Sequence, residues 1–136
     1  MRISESFVNK LKQYALAEHP NECCGILAGK NSTIKRVYPV TNIYSSPYRY
    51  LMDPQEQFEV MRDAEKRGFD ILGFYHSHTN SPPYPSATDV RMALQSGWLN
   101  IEYVLLSTLD KLNPVINSYI ITEEGEITEV DIKKIL

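Results

Sequence analysis

Apolar residues recur at helical spacing near the start of the chain. Phe7, Val8, Leu11, Tyr14 and Ala15 form one stripe, which predicts a helix capped by Ser4 and stopped at His19-Pro20. The run Cys24-Gly-Ile-Leu-Ala-Gly29 and the β-branched, Tyr-containing stretch at 33–41 then predict a hairpin. Residues 48–52 predict a further strand. Asp53-Pro54 opens a second helix with Asp at the cap and Pro at the first position, Phe58, Met61 and Ala64 as its buried edge, and Gly68 at its end. Phe69 to Tyr75 reads as a strand that runs straight into His76-Ser77-His78. A Pro-rich loop follows, then a helix from about Ala87 to Gln95 closed by Ser96-Gly97, then strands near 101–107, 115–122 and 126–131. The order α-β-β-β-α-β-α-β-β-β belongs to the α/β class, with a mixed central sheet flanked by helices.

Length and composition narrow this picture. A chain of 136 residues matches one domain, 1–136, around one core. No apolar run approaches the roughly 18 residues of a membrane span. The N-terminus does not read as a secretory signal, so the expected location is cytoplasmic and no membrane partner is expected. The net charge of −3, with both signs scattered, offers no basic stripe for nucleic acid. Cys23 and Cys24 are adjacent, and disulfide geometry disfavours a bridge between neighbours.

The chemistry gathers at the end of the His-containing strand. Residues two apart on a strand share a face, so His76 and His78 present both imidazoles to one point while Ser77 turns away. A catalytic zinc takes three protein ligands and keeps one position open, and Asp89, at the start of the next helix, is the best third ligand. Ser86-Ala-Thr-Asp89 also reads as a capping box, a purely structural role that does not exclude the other. Cys23 and Cys24 are expected to be buried structural thiols, and His19 to face the carbonyls at the end of its helix. Tyr84 and Trp98 are candidates for the wall of a substrate groove, with simple packing as the alternative reading.

His76-Ser77-His78, seven residues, Ser86, two residues and Asp89 resemble the signature of the JAMM (MPN+) metalloproteases, His-x-His-x7-Ser-x2-Asp, with every position filled. Pro20-Asn-Glu-Cys-Cys-Gly-Ile-Leu-Ala-Gly29 resembles the upstream Glu segment of the family's bacterial and archaeal, Mec-like branch. The resemblance covers nearly the whole chain. It implies a JAMM/MPN, cytidine-deaminase-like architecture and Zn2+ held by His76, His78 and Asp89. It further implies Glu22 as the acid/base group and Ser86 as a donor to the oxyanion. The implied reaction is hydrolysis of an amide or isopeptide bond after the C-terminal Gly-Gly of a ubiquitin-like or sulfur-carrier protein, whose tail would lie along a strand edge. The chain looks too short for the insertions of the polyubiquitin-cleaving branch. The sequence leaves homodimer formation open.

Two rivals stand beside this reading. A zinc deaminase would need Glu where His78 stands and a Cys-x-x-Cys pair after it. A non-catalytic MPN-type scaffold would have lost the ligands, and here all five positions are filled.

Overall fold

Ser4 accepts the Phe7 N–H at 3.1 Å and starts α1 (Glu5–Glu18) in the computed structural model, which describes residues 1–136. The hairpin follows as β2 (Cys24–Lys30) and β3 (Thr33–Val40), and α2 (Pro54–Lys66) begins where Asp53 caps the N–H groups of Gln55 and Glu56. Next come β4 (Asp70–His78), α3 (Ala87–Ser96), β5 (Glu102–Ser107), β6 (Val115–Ile121) and β7 (Ile127–Val130). Two three-residue strands at the ends of the chain, β1 (Arg2–Ser4) and β8 (Lys133–Ile135), escape sequence reading because three residues show no period. They pair in parallel with each other.

All eight strands form one mixed sheet in the order β7-β6-β5-β4-β2-β3-β1-β8. Side chains alternate across it. Val8, Leu11 and Ala15 of α1 pack on Leu27, Tyr75, Val104 and Leu106 on one face. Ala64 of α2 and Ala93 of α3 pack on Ile26, Phe74, Tyr103 and Leu105 on the other. Helices on both faces of a mixed sheet are the expected α/β arrangement. No helix is long and apolar enough to cross a membrane.

Three details position the functional end. The β4–β5 pair is parallel, with His76 opposite Leu105 and His78 opposite Ser107, so its connection crosses over the sheet and carries α3 with it. Gly25 on β2 has no room for a side chain: a Cβ there would clash with the Tyr38 carbonyl and the Tyr75 phenol. Residues 48–52 do not form the expected strand; Met52 makes only an isolated bridge to Asn42, because the chain is bent around that asparagine.

The buried edge of α2 also differs from expectation. Ala64 is buried and Val60 and Met61 pack against the core, but Phe58 is 56% exposed. At about 100° per residue Phe58 lies about 120° around the helix from Ala64. Its ring instead lies under the Arg62 guanidinium at 5.7 Å, within the roughly 6 Å reach of a cation–π contact.

Candidate metal centre

His76 and His78 are the seventh and ninth residues of β4, on the face covered by α2 and α3, and both are buried. β4 is flanked by β2 and β5, so the site lies at a strand end inside the sheet and not along a strand edge as expected. Ser77 turns to the opposite face. Its hydroxyl accepts the Cys23 N–H at 2.8 Å, and its own N–H donates to the Cys23 carbonyl at 3.1 Å. The histidine strand is thereby stitched to the residue after Glu22, a role for Ser77 that the sequence did not suggest.

The crossover brings Asp89 back over the two imidazoles. Ser86 caps α3, accepting the Asp89 N–H at 3.0 Å, while the Ser86 N–H donates to Asp89 Oδ2 at 2.9 Å. The capping box expected from Ser86 and Asp89 is present, and it aims the carboxylate. Asp89 Oδ2 lies 3.1 Å from His76 Nε2 and 3.0 Å from His78 Nε2. One ligating atom from each of the three residues falls within 4.8 Å of the others.

Hydrogen bonding does not satisfy this cluster. His78 Nδ1 lies 3.0 Å from the Pro82 carbonyl, an acceptor only, so Nδ1 carries the proton and a neutral His78 turns the lone pair of Nε2 toward a carboxylate oxygen. Two acceptors facing each other require a cation between them, either a proton or a metal. His76 Nε2 is buried and, despite its short distance to Asp89 Oδ2, has no hydrogen-bond partner because the geometry is off line. A tetrahedral zinc with ligands at roughly 2.0–2.1 Å separates them by about 3.3 Å, close to the spacing found. Two imidazoles and a carboxylate, one imidazole oriented by a backbone carbonyl, fit a metal ion.

The charges point the same way. Burial opposes ionisation of Asp89, but the imidazoles of His76 and His78 and the Ser86 N–H outweigh it and hold the carboxyl well below the usual range. Burial also opposes a charge on His78, yet Asp89 and the Pro82 carbonyl hold it above its ordinary value. Glu22, just before β2, is 5% exposed, and burial pushes its carboxyl up to about 8, with His78 opposing and Asp89 reinforcing. Glu22, His78, Ser86 and Asp89 line one groove of about 360 Å³, walled by Pro47 to Tyr50 on one side and Thr79 to Ser81 on the other. Thr79 Oγ1 donates to the Pro47 carbonyl at 3.1 Å and ties the walls together.

The remaining candidates lie elsewhere. Cys23 and Cys24 point to opposite faces of the sheet, are free and buried, and stay outside the cluster. Burial pushes the Cys23 thiol up to about 11 and the Cys24 thiol well above its ordinary value. His19 does not turn to the α1 carbonyls: its Nδ1 lies 2.8 Å from Thr108 Oγ1, because the chain bends away at Pro20 and faces the end of β5. Tyr84 packs edge-on against Tyr119 and is not part of the groove. Trp98 packs edge-on against Phe74 and lines a small apolar cavity of about 140 Å³ that reaches Asp89.

Comparison with known proteins gives a consistent picture. Residues 4–128 match the model of a family described as prokaryotic homologs of the JAB domain. The chain is 38% identical over 129 residues to a CysO-cysteine peptidase of Mycobacterium tuberculosis, covering 93% of this chain and 86% of the relative. It is 37% identical over 98 residues to a desampylase of Haloferax volcanii, covering 70% of each. A solution structure of a protein from Desulfitobacterium hafniense superimposes with a TM-score of 0.86 at 33% identity, covering 99% of this chain and 94% of that one.

Proposed function

Because the chain belongs to the prokaryotic JAB family of JAMM metalloproteases, we propose that it is a zinc-dependent peptidase acting on small carrier proteins. Its substrate is a ubiquitin-like or sulfur-carrier protein, and the bond it hydrolyses is the amide or isopeptide bond after a C-terminal Gly-Gly. The observation that carries this reading is the buried, unpartnered His76 Nε2 beside Asp89 and His78, two residues that line one groove together with Glu22. Relatives named CysO-cysteine peptidase and desampylase support a protein-conjugate substrate.

In this reading His76, His78 and Asp89 hold the ion. Zinc bound there supplies Lewis acidity, polarising the scissile carbonyl and lowering the pKa of water toward roughly 7. Glu22 removes the proton of the attacking water and returns it to the departing amine. Burial raises its proton affinity, so the ionised carboxylate is a stronger base toward the water and can hold the proton until the amine departs. The Ser86 hydroxyl accepts the Asp89 N–H with a lone pair, so its own hydrogen remains free to donate to the growing oxyanion. The groove walls supply the tail site. The N–H groups of Arg49 and Tyr50 have no partner within the chain and can bind an extended main chain, and the tied walls favour residues without side chains.

The test is mass spectrometry of a carrier protein ending in Gly-Gly, carrying either a terminal cysteine or a lysine-linked partner, before and after incubation with zinc-loaded enzyme. Release after Gly-Gly is expected, strongly suppressed in an Ala-Ala variant of the tail and abolished by Glu22→Gln. Equal rates on both tails, or efficient digestion of unrelated unfolded proteins, would make the protein a broad peptidase and overturn the carrier assignment.

A further inference from the structure

Glu22 has a carboxylate held by packing alone. No hydrogen bond reaches its side chain, and it stands between two cavities: the groove and a second space of about 270 Å³ on the α1 side, bordered by Glu18, Asn21 and Tyr75. With no hydrogen-bonded partner, its carboxylate depends for its position on the backbone at Glu22 and the packing around it. Ser77 fixes the following residue. The Glu22 peptide groups themselves are fixed by the segment that precedes α2. The Glu22 N–H donates to the Ser46 carbonyl at 2.9 Å, and the Glu22 carbonyl accepts from Asn42 Nδ2 at 3.1 Å.

Asn42 spends its whole carboxamide on this arrangement. Nδ2 also donates to the Arg49 carbonyl at 3.2 Å, while Oδ1 accepts the N–H of Tyr44 at 3.1 Å and of Leu51 at 3.0 Å. Two carbonyls on one side and two N–H groups on the other fix the orientation of the amide, since a flip would set donors against donors. Asn42 therefore closes the loop 43–51 on itself and fastens that loop to Glu22. The same loop provides the Pro47–Tyr50 wall of the groove.

We propose that Asn42 is a positioning residue: it sets the height of Glu22 over the metal centre and ties it to the wall that receives the substrate tail. This rests on the reading of Glu22 as the acid/base group. A carboxylate free to swing by an ångström loses on the order of 100-fold in rate, so the link acts on turnover more than on binding.

Two variants weaken the tie and the loop to different extents. Asn42→Asp keeps both acceptor bonds, to the N–H of Tyr44 and Leu51, and loses both donor bonds, to the carbonyls of Glu22 and Arg49. Asn42→Ala loses all four. With zinc-loaded enzyme and a Gly-Gly conjugate, Asn42→Asp should lower kcat by roughly 10- to 100-fold while KM stays within about three-fold, and Asn42→Ala should lower kcat similarly and raise KM as well. Amide hydrogen exchange read by NMR gives a measure independent of activity: in Asn42→Asp, the Glu22 N–H, bonded to the Ser46 carbonyl of the loop that Asn42 fastens, should exchange faster once that loop is no longer tied to the Glu22 carbonyl, while the N–H groups of Tyr44 and Leu51 stay protected. Wild-type kcat and unchanged Glu22 exchange in Asn42→Asp would overturn the proposal, as would a loss of kcat explained entirely by lost zinc. A Glu22→Gln control that keeps turnover would instead sink the acid/base assignment, while exchange at the Glu22 N–H still reports whether Asn42 holds that backbone.

Discussion

The Tyr50 ring lies against the His76 imidazole, with centroids 4.4 Å apart and planes inclined by 27°. The stack fixes the ring of a histidine whose Nε2 has no hydrogen bond to orient it, and it shields that face from the groove. Such a contact contributes about 0.5–1.5 kcal/mol beyond area burial. Tyr50→Leu should therefore weaken metal affinity by up to about ten-fold. Tyr50→Phe keeps the stack and should match wild type. Competition with a chromogenic chelator checks both.

Ser77→Ala removes the acceptor of the buried Cys23 N–H and leaves that group unpaired. A buried, unsatisfied N–H costs roughly 1–3 kcal/mol, which should appear as a lower urea midpoint with unchanged slope. Turnover should fall as well, since Cys23 adjoins Glu22. Ser77→Thr should restore stability if the extra methyl fits, and unchanged midpoints in Ser77→Ala would show that the bond contributes nothing.

Ser86→Ala should produce two separable losses. Removal of the cap on α3 costs about 1 kcal/mol of stability. Loss of an oxyanion donor lowers kcat on the order of 100-fold. A melting shift with normal kcat would leave Ser86 as a cap only.

Chelated protein should lose stability as pH rises. The folded pKa of Glu22 is raised from 4.5 to about 8, so its contribution is fully present below the unfolded value and is lost progressively up to about 8. His78 is also raised, from 6.5, and its contribution is lost as pH climbs through its folded value. Asp89 is lowered, so its contribution is present above the unfolded carboxylate range and stays constant through this window. Metal-loaded protein should show the opposite trend at low pH, because protons compete with the ion for the imidazoles. Thermal midpoints with and without chelator between about pH 5 and 8 test the signs.

Much of this was legible in the sequence because the informative signals are local. Ser4, Asp53 and Ser86 cap helices within three residues of themselves, and His76 and His78 share a face by strand geometry alone. What stayed hidden depends on partners far along the chain. The Ser77–Cys23 stitch spans 54 residues and the His19–Thr108 contact 89, and neither has a periodic signature. The misread strand at 48–52 has the same origin: Asn42 uses its side chain where a neighbouring strand would have used its backbone. Phe58 was misplaced because hydrophobicity was taken as burial, while Gln57, nearer the inward direction, lines the apolar cavity beside Asp89.

The parallel β4–β5 pair also makes the candidate ligand set a non-local one. His76 and His78 are neighbours along one strand, but Asp89 is carried on the crossover that joins residues 73–78 to their register partners at 102–107. Parallel pairing through a crossover is a non-local step whose loop-closure entropy must be met before its contacts form. Two imidazoles on one strand make an incomplete chelator, and the third candidate ligand is supplied only by the connection that closes the β4–β5 pair.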